Sequence, residues 1–178
     1  MRRIVAYMLV SIDGVAQDPD EFVLEWDEEM DANLAEVIGT QDTVLLGRGM
    51  HDEWSRYWPS SDMQPFADFI NAVEKYVATS SPLTGDWPHA RAIEGDVLEF
   101  VRGLAAGDGG DVGVHGSMEL TASLLAAGLV DDLRLVVAPR VAGKGRRLFG
   151  DGVPTAYELV ASSATPTGAL LVHYRRVS

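Results

Sequence analysis

The side chains best suited to chemistry in this 178-residue sequence stand directly after short apolar segments. They supply carboxylate, guanidinium, hydroxyl and imidazole groups, and most lie beside a glycine. If the apolar segments are parallel strands of one sheet, their carboxyl ends meet at one edge, where such sheets bind ligands. This edge is a candidate site made of four sets of residues: Asp13 with Gly14; Gly47 with Arg48; Thr79, Ser80 and Ser81; and His115, Gly116 and Ser117.

Gly47 and Arg48 suit the binding of a phosphate. They follow a predicted strand over residues 43–46 and precede a predicted helix, so Arg48 lies where backbone N–H groups at a helix N-terminus are free. A guanidinium there can add charge-assisted hydrogen bonds to the same anion. The alternative is that Arg48 pairs with a nearby carboxylate. Thr79, Ser80 and Ser81 either offer hydroxyls to the ligand or form a turn before the following proline.

The segment from His115 to Ser117 predicts a glycine turn between a strand over residues 112–115 and a helix. Gly116 would let the backbone approach a ligand closely. We expect Ser117 to be the N-cap of the helix and not a nucleophile, because a hydrolase elbow needs G-x-S-x-G and the sequence reads V-H-G-S-M. His115 is either a general acid or a structural hydrogen-bonding group. A strand over residues 133–138 would complete a βαβ unit whose two strands are parallel.

The order of the predicted elements indicates an α/β fold. Further apolar runs predict strands at residues 2–10, 75–79 and 90–93, and apolar periodicity predicts helices from Asp27 to Gly39, over 51–57, near 66–73 and from residue 96. Residues 156–162 and 169–177 alternate as in an antiparallel hairpin. We therefore predict one domain over residues 1–178: a three-layer sandwich with a mainly parallel mixed sheet, helices on both faces and a C-terminal antiparallel hairpin.

Composition limits the possible partners. The formal net charge of −13 argues against nucleic acid, which needs clustered Lys and Arg. Four scattered histidines and no cysteine argue against a metal site. No apolar run approaches the ~18 residues of a membrane helix, and the first run is interrupted too early for an export signal, so we expect a cytoplasmic protein. Basic residues cluster at 140–147, after the βαβ unit, which favours an anionic small ligand.

Several of these segments resemble a known family. The stretch V-L-L-G-R-G-M-H-D-E-W at 44–54 resembles the G-R-x-T-[YW]-E segment of dihydrofolate reductases and of the reductase domain of bifunctional riboflavin-biosynthesis proteins. Residues 116–120 (G-S-x-x-L), 128–134 (G-L-V-D-D-L-R) and 139–149 (P-x-x-x-G-x-G-R-R-L-F) resemble the second half of that domain. Residues 8–14 (M-L-V-S-I-D-G) resemble its first strand and turn. The resemblance covers nearly the whole chain and implies a stand-alone reductase with a dihydrofolate-reductase-like fold.

The resemblance also implies a reaction, a cofactor and the residues that bind it. Members of this family transfer hydride from NADPH to small pterin-like or pyrimidine-like heterocycles. Carried over by position, Gly47 and Arg48 would hold cofactor phosphates, with Arg48 near the adenosine 2′-phosphate. The adenosine side would be lined by Thr79, Ser80 and Ser81, and the pyrophosphate and nicotinamide would be wrapped by His115, Gly116, Ser117, Met118 and Glu119. Asp13 and Gly14 would belong to the lip of the active site.

Asp31 is the candidate for the carboxylate that binds the heterocycle, and with Asp13 it completes the catalytic candidates. In bacterial dihydrofolate reductases this carboxylate lies five residues after a tryptophan and sixteen before the Gly-Arg pair. Trp26, Asp31 and Gly47 keep both spacings. The alternative is that Asp31 is one of several exposed acids on the surface of its helix.

Two further expectations concern activity and assembly. Met50 stands where the family has a phosphate-contacting threonine, and His51 stands where it has an aromatic residue. The first departure leaves open a non-catalytic protein of the same fold that binds a nucleotide or another ligand. The hairpin is predicted to expose an edge and a face bearing Leu171, Val172 and Tyr174. We therefore expect a homodimer formed through the hairpin or its neighbouring helix.

Overall fold

The computed structural model describes residues 1–150 and 154–177, which contain eight strands and five α-helices. The strands are β1 (Ile4–Val10), β2 (Gln41–Gly47), β3 (Glu74–Ala78), β4 (Ala90–Ala92), β5 (Asp111–His115), β6 (Asp132–Val137), β7 (Tyr157–Ala164) and β8 (Leu170–Arg176). The helices are α1 (Glu28–Ile38), α2 (Arg48–Tyr57), α3 (Phe66–Ala72), α4 (Val97–Ala106) and α5 (Met118–Ala126). Every predicted strand and helix is present, with bounds that differ by a few residues.

All eight strands form one sheet, in the order β4-β3-β2-β5-β1-β6-β8-β7. The first six in this order run parallel, while β8 is antiparallel to β6 and β7 is antiparallel to β8. This confirms the predicted mixed sheet with its terminal hairpin. The two strands of the βαβ unit, β5 and β6, flank β1 instead of pairing with each other. The carboxyl ends of β3, β2, β5, β1 and β6 therefore lie along one edge.

Helices cover both faces of the sheet, as predicted. Alternate residues of β1 enter opposite cores, because successive side chains of a strand point to opposite faces. Ile4, Met8 and Val10 pack with Val101 of α4 and Leu124 of α5. On the other face, Val5 and Tyr7 pack with residues of α1 and α3, among them Met30, Leu34 and Ile70. The molecule is thus a three-layer α/β sandwich.

Two aspartates start helices as the sequence predicts. Asp27 Oδ1 accepts a hydrogen bond from the Met30 backbone N–H at 3.0 Å, and Asp96 Oδ1 accepts one from the Glu99 N–H at 2.9 Å. Such caps satisfy N–H groups that have no partner within the helix. Asp27 Oδ2 also accepts a hydrogen bond from the Thr167 hydroxyl at 2.7 Å. This contact holds the turn of the hairpin against the start of α1.

The predicted apolar face of the hairpin is wrong in its composition. Leu171 is only 7% exposed and packs in the core beneath α1, whereas Val172 and Tyr174 pack on the opposite side of the sheet. Successive residues of a strand point to opposite faces, so Leu171 cannot share a face with Val172, whereas Val172 and Tyr174, two positions apart, do share one. The exposed apolar side chains of the hairpin include Leu159 and Val160 on β7, which is the edge strand.

Candidate active site

The glycine turn that the sequence singles out follows β5 and contacts the end of the neighbouring strand β2. Ser117 occupies the N-cap position of α5, as expected, but its side chain makes no cap hydrogen bond. Its Oγ instead accepts a hydrogen bond from the Gly47 backbone N–H at 2.9 Å. Two of the predicted sets, Gly47 with Arg48 and His115 to Ser117, are therefore in direct contact. Ser117 is thus the N-cap residue by position, while its hydroxyl is engaged with the end of the neighbouring strand.

Arg48 connects the start of α2 with the loop that follows β3. Its Nε lies 2.9 and 2.8 Å from the two carboxylate oxygens of Asp52, one helical turn further along. Its Nη1 donates to Ser81 Oγ at 2.7 Å, to the Pro82 carbonyl at 2.9 Å and to Thr79 Oγ1 at 3.3 Å. The carboxylate pairing and the contact with the hydroxyl set therefore occur together. Ser80 is exposed beside this network.

Asp52 is a site residue that the sequence reasoning missed. Hydrogen bonds from Arg48 and from His51 Nδ1, 3.0 Å away, hold the pKa of the Asp52 carboxyl below its ordinary value. Asp52 is therefore ionised at neutral pH and places a negative charge next to the guanidinium. The i,i+4 spacing of Arg48 and Asp52 on a helix is the signal that could have revealed the pair.

His115 is buried, and its ring lies among aromatic side chains. Its Nε2 is 2.8 Å from Gln41 Oε1, and its ring centroid is 5.3 Å from that of Phe66 and 5.9 Å from that of Tyr7. Burial lowers the pKa of His115 to about 3, so the imidazole is neutral at physiological pH. Of the two alternatives, the structural hydrogen-bonding role fits this environment. At the edge of the sheet, His115 contributes its backbone, which continues into Gly116.

Gly116 has a backbone conformation that favours glycine, and little space remains around it for a side chain. Its φ is +63°, in the left-handed region, and a Cβ at this position would lie 3.0 Å from both Met50 Cε and Trp54 Cζ2. The Met50 side chain therefore packs against the glycine turn. This contact gives Met50 a packing role at the position where the resembling family has a hydroxyl.

The first turn of α5 meets the basic segment at residues 140–147. Met118 packs partly against the core beneath the sheet, while Glu119 Oε1 accepts a hydrogen bond from Arg146 Nη1 at 2.7 Å. Arg147 Nε donates to the Asp13 carbonyl at 3.0 Å, and Lys144 forms an ion pair with an acidic side chain outside this segment. The basic cluster predicted from the sequence thus lies beside the glycine turn, with several of its charges already engaged.

Asp13 anchors that basic segment to the turn after β1. Its Oδ1 accepts hydrogen bonds from the Ser11 hydroxyl at 2.7 Å and the Ala142 N–H at 2.9 Å, and its Oδ2 accepts one from the Gly143 N–H at 3.0 Å. These bonds, led by that of Ser11, lower the pKa of Asp13 to about 2. The next residue, Gly14, has a φ of +79°. Asp13 is therefore ionised at neutral pH and holds two loops of the rim together.

Asp31 lies in the first turn of α1, above the face of the sheet that carries Tyr7. Its Oδ1 accepts a hydrogen bond from the Trp26 indole N–H at 2.7 Å. The side chain is half-buried, unlike the neighbouring Glu28 and Glu29, which are exposed. The five-residue spacing from the tryptophan thus corresponds to a direct contact in the folded chain.

Two helices, α2 and α5, start at this edge, whereas α3, which also lacks a side-chain cap, starts after Pro65. Both α2 and α5 begin at the carboxyl end of a parallel strand, and neither N-terminus is capped by a side chain. The aspartate caps described above belong to α1 and α4. The backbone N–H groups in the first turn of a helix are the groups that bind anions. In α5 the first of them, that of Met118, already donates to the Gly116 carbonyl at 3.1 Å, so the later N–H groups of that turn are the candidates. Together with Arg48, the first turns of α2 and α5 form an arrangement that could hold an elongated anion carrying more than one phosphate.

Within residues 1–150 and 154–177, no cluster of three or more His, Cys, Asp or Glu side chains could hold a metal ion. In the same part of the chain, no helix is long and apolar enough to cross a membrane.

Comparison with known proteins shows which family the chain matches. The model of the RibD C-terminal domain matches residues 2–171. The protein YyaP of Bacillus subtilis (strain 168) is 29% identical over 154 residues, which cover 84% of this chain and 81% of YyaP. The crystal structure of a putative riboflavin biosynthesis protein from Shewanella sp. PV-4 superposes with a TM-score of 0.79 at 15% identity, covering 99% of both chains. Dihydrofolate reductase from Enterococcus faecalis, complexed with NADP(H) and RAB-propyl, gives a TM-score of 0.66 at 17% identity, and the match covers 99% of this chain and 97% of that one.

Proposed function

The chain belongs to the RibD C-terminal domain family, and from that premise we propose that it is an NADPH-dependent reductase of a small pterin-like or pyrimidine-like heterocycle. Its family and its structural relatives are of the reductase type, which supports an oxidoreductase. The cofactor and the substrate are our proposal. When bound, NADPH would supply the hydride, and the protein would supply binding, orientation and proton control.

One observation carries the cofactor assignment: two helices without side-chain caps start at the same edge as Arg48. NADPH carries a pyrophosphate and a 2′-phosphate, so it needs several anion-binding groups along one line. The N-termini of α2 and α5 are candidates for the pyrophosphate. Arg48, with the hydroxyls of Thr79 and Ser81 beside it, suits the 2′-phosphate.

The glycine turn fits this cofactor as well. Gly116 turns the chain with a positive φ at the end of β5, and Met50 and Trp54 pack on the side where a Cβ would lie. Ser117 fixes this turn to the end of β2, where Arg48 begins. We assign His115 and Gly116 through their backbone, and Ser117, Met118 and Glu119 as the first residues of α5, to the pyrophosphate and nicotinamide side.

The heterocycle is assigned to the space beside Asp31. A half-buried carboxylate can accept hydrogen bonds from ring N–H groups of a pterin or pyrimidine. Asp13 is placed at the rim, where its low pKa makes it an anchor for the loops and not a proton donor. A proton for the reduced ring would come from Asp31 or from a water molecule that it orients.

We also propose that the protein is a homodimer that uses the edge strand β7. Seven of its eight residues are exposed, among them Leu159 at 56% and Val160 at 45% exposure. An exposed strand edge with apolar side chains is usually covered in a stable protein, and pairing with a second copy covers both at once.

The test of the function is a fluorescence titration with NADPH and, in parallel, NADH, followed by an assay of NADPH oxidation with dihydropterins and ribosylaminouracils. We expect tighter binding of NADPH and oxidation that depends on the heterocycle. Failure to bind either nucleotide would contradict the proposal. Binding of NADPH without turnover of any heterocycle would instead identify the non-catalytic alternative.

A further inference from the structure

Tyr7, in the middle of β1, carries a buried polar group that nothing in the fold uses. The side chain is 5% exposed, and its hydroxyl has no hydrogen-bond partner in the described part of the chain. Most buried hydroxyls are paired, because leaving one unpaired forfeits its hydrogen bonds with water. The hydroxyl of Tyr7 therefore calls for a partner that is not a part of this chain.

The position of Tyr7 lies between the groups assigned to the substrate and to the cofactor. In the sheet it stands opposite His115 of β5 on one side and Arg134 of β6 on the other. His115 leads directly into the Gly116 turn. On the same face, Tyr7 packs in the core that α1 closes with Met30 and Leu34. Tyr7 thus belongs to the floor beneath the first turns of α1.

Asp31 is near enough to act electrostatically on this phenol. Burial raises the pKa of Tyr7 above its ordinary value, while the charge of Arg134 lowers it and the charge of Asp31 raises it. The hydroxyl therefore keeps its proton at physiological pH and is a hydrogen-bond donor. Asp31 uses Oδ1 to bind Trp26, and no hydrogen bond to its Oδ2 is found among the described residues. A carboxylate acceptor and a phenol donor thus share one neighbourhood.

We propose that the Tyr7 hydroxyl donates a hydrogen bond to a ring carbonyl of the substrate, next to the ring N–H group that donates a hydrogen bond to Asp31. An acceptor and a donor on adjacent ring atoms make a lactam, so Tyr7 selects heterocycles that carry a lactam edge. This inference rests on the proposed function, since it needs a heterocycle bound at Asp31. Tyr7 is a specificity-determining residue and not the source of the transferred proton, because a phenol with a raised pKa gives up its proton poorly.

The test is Tyr7→Phe, which removes the hydroxyl and keeps the ring. Calorimetric titrations would use two probes: pterin, which has the lactam edge, and diaminopteridine, in which an amino group replaces the ring carbonyl. We expect the variant to lose about tenfold in affinity for pterin and less than twofold for diaminopteridine. The matched control is Tyr157→Phe, which removes a hydroxyl that bonds to the Val130 carbonyl and whose ring packs against the other core. It should change neither affinity.

Thermal unfolding separates this role from a structural one. Because the hydroxyl of Tyr7 has no partner among the described residues, Tyr7→Phe should melt no lower than the wild type. A lower melting temperature, or an equal loss of affinity for both probes, would mean that the hydroxyl supports the fold, and unchanged pterin binding would also overturn the inference. If the wild type binds NADPH but not pterin, the lactam assignment fails while the cofactor assignment stands. If it binds neither, the proposed function fails as well.

Discussion

Replacing Arg48 by alanine should remove the preference for NADPH over NADH. The two cofactors differ only in the 2′-phosphate, so the ratio of their dissociation constants isolates the interaction with that group. In the structure, Nε and Nη1 of Arg48 are already engaged, whereas Nη2 makes one long contact within the described residues, 3.4 Å to Thr84 Oγ1. The N–H groups of Nη2 are therefore the donors most available to a phosphate.

The size of the preference follows from one such donor. A hydrogen bond between charged groups contributes about 1.5–3 kcal/mol, which corresponds to roughly a 10- to 150-fold ratio. The Asp52 carboxylate lies against the same guanidinium and repels the phosphate, so we expect a ratio near the lower end, about tenfold. In Arg48→Ala this repulsion is no longer compensated. The ratio should fall to about one or below, and Asp52→Ala in the same chain should bring it back to about one.

The assay is fluorescence titration of both cofactors at low and at high salt, because the contribution of the phosphate should weaken as salt increases. Arg48 also holds the loop after β3, so the variant can lose affinity for both cofactors, but that loss cancels in the ratio. Stability should change little, since a partly exposed i,i+4 ion pair contributes only ~0.3–0.5 kcal/mol. Arg56→Ala, in the last turn of the same helix, is the matched control. Equal binding of both cofactors by the wild type, or an unchanged ratio in Arg48→Ala, would refute the reasoning.

Three further predictions concern the substrate carboxylate, the rim and the edge strand. Asp31→Asn should reduce turnover by ~10²-fold or more and leave NADPH binding unchanged. The control Glu28→Gln, at an exposed neighbouring position, should alter neither turnover nor binding. If steady-state kinetics showed that the two variants behave alike, the assignment would be disproved. Because the folded-state pKa of Asp13 is lowered from 3.8 to about 2, its stabilising contribution is complete above about pH 4 and is lost as the pH falls towards 2. Thermal melts of Asp13→Asn should therefore depend less on pH in that window than melts of the wild type, and parallel curves would contradict this. Replacing Leu159 and Val160 by glutamate should give a monomer by light scattering, and a wild-type protein that is already monomeric would exclude the dimer.

Local features of the structure were predictable because a few neighbouring residues determine them. The caps of α1 and α4 join residues three positions apart, Asp27 with Met30 and Asp96 with Glu99. The apolar side of α1 follows helical spacing, and alternation over residues 157–176 gives the hairpin. Strand types and their order along the chain then indicate the α/β class.

Contacts between distant residues were predictable only in outline. The rule that ligands bind at the carboxyl ends of parallel strands brought four sets of residues to one edge. It did not say which strands are neighbours, and β1 proves to lie between β5 and β6. The predicted apolar face of the hairpin was wrong because side chains alternate along a strand. Leu171 therefore lies on the face opposite to that of Val172 and Tyr174.

The sequence by itself therefore determined the elements, the mixed sheet and the edge at which the chemistry is to be sought, because propensity, periodicity and capping act within a few residues. The tertiary structure alone decided what each candidate side chain does there. Ser117 binds the N–H of Gly47, 70 residues away, instead of capping its own helix. In the sequence, Tyr7 is indistinguishable from the other core residues of its strand. Only in the folded chain do the neighbouring strands and α1 bury its hydroxyl, which has no partner within residues 1–150 and 154–177. The physical reason is that a polar group pairs with the best partner within reach, and only strand order and helix packing decide which groups are within reach.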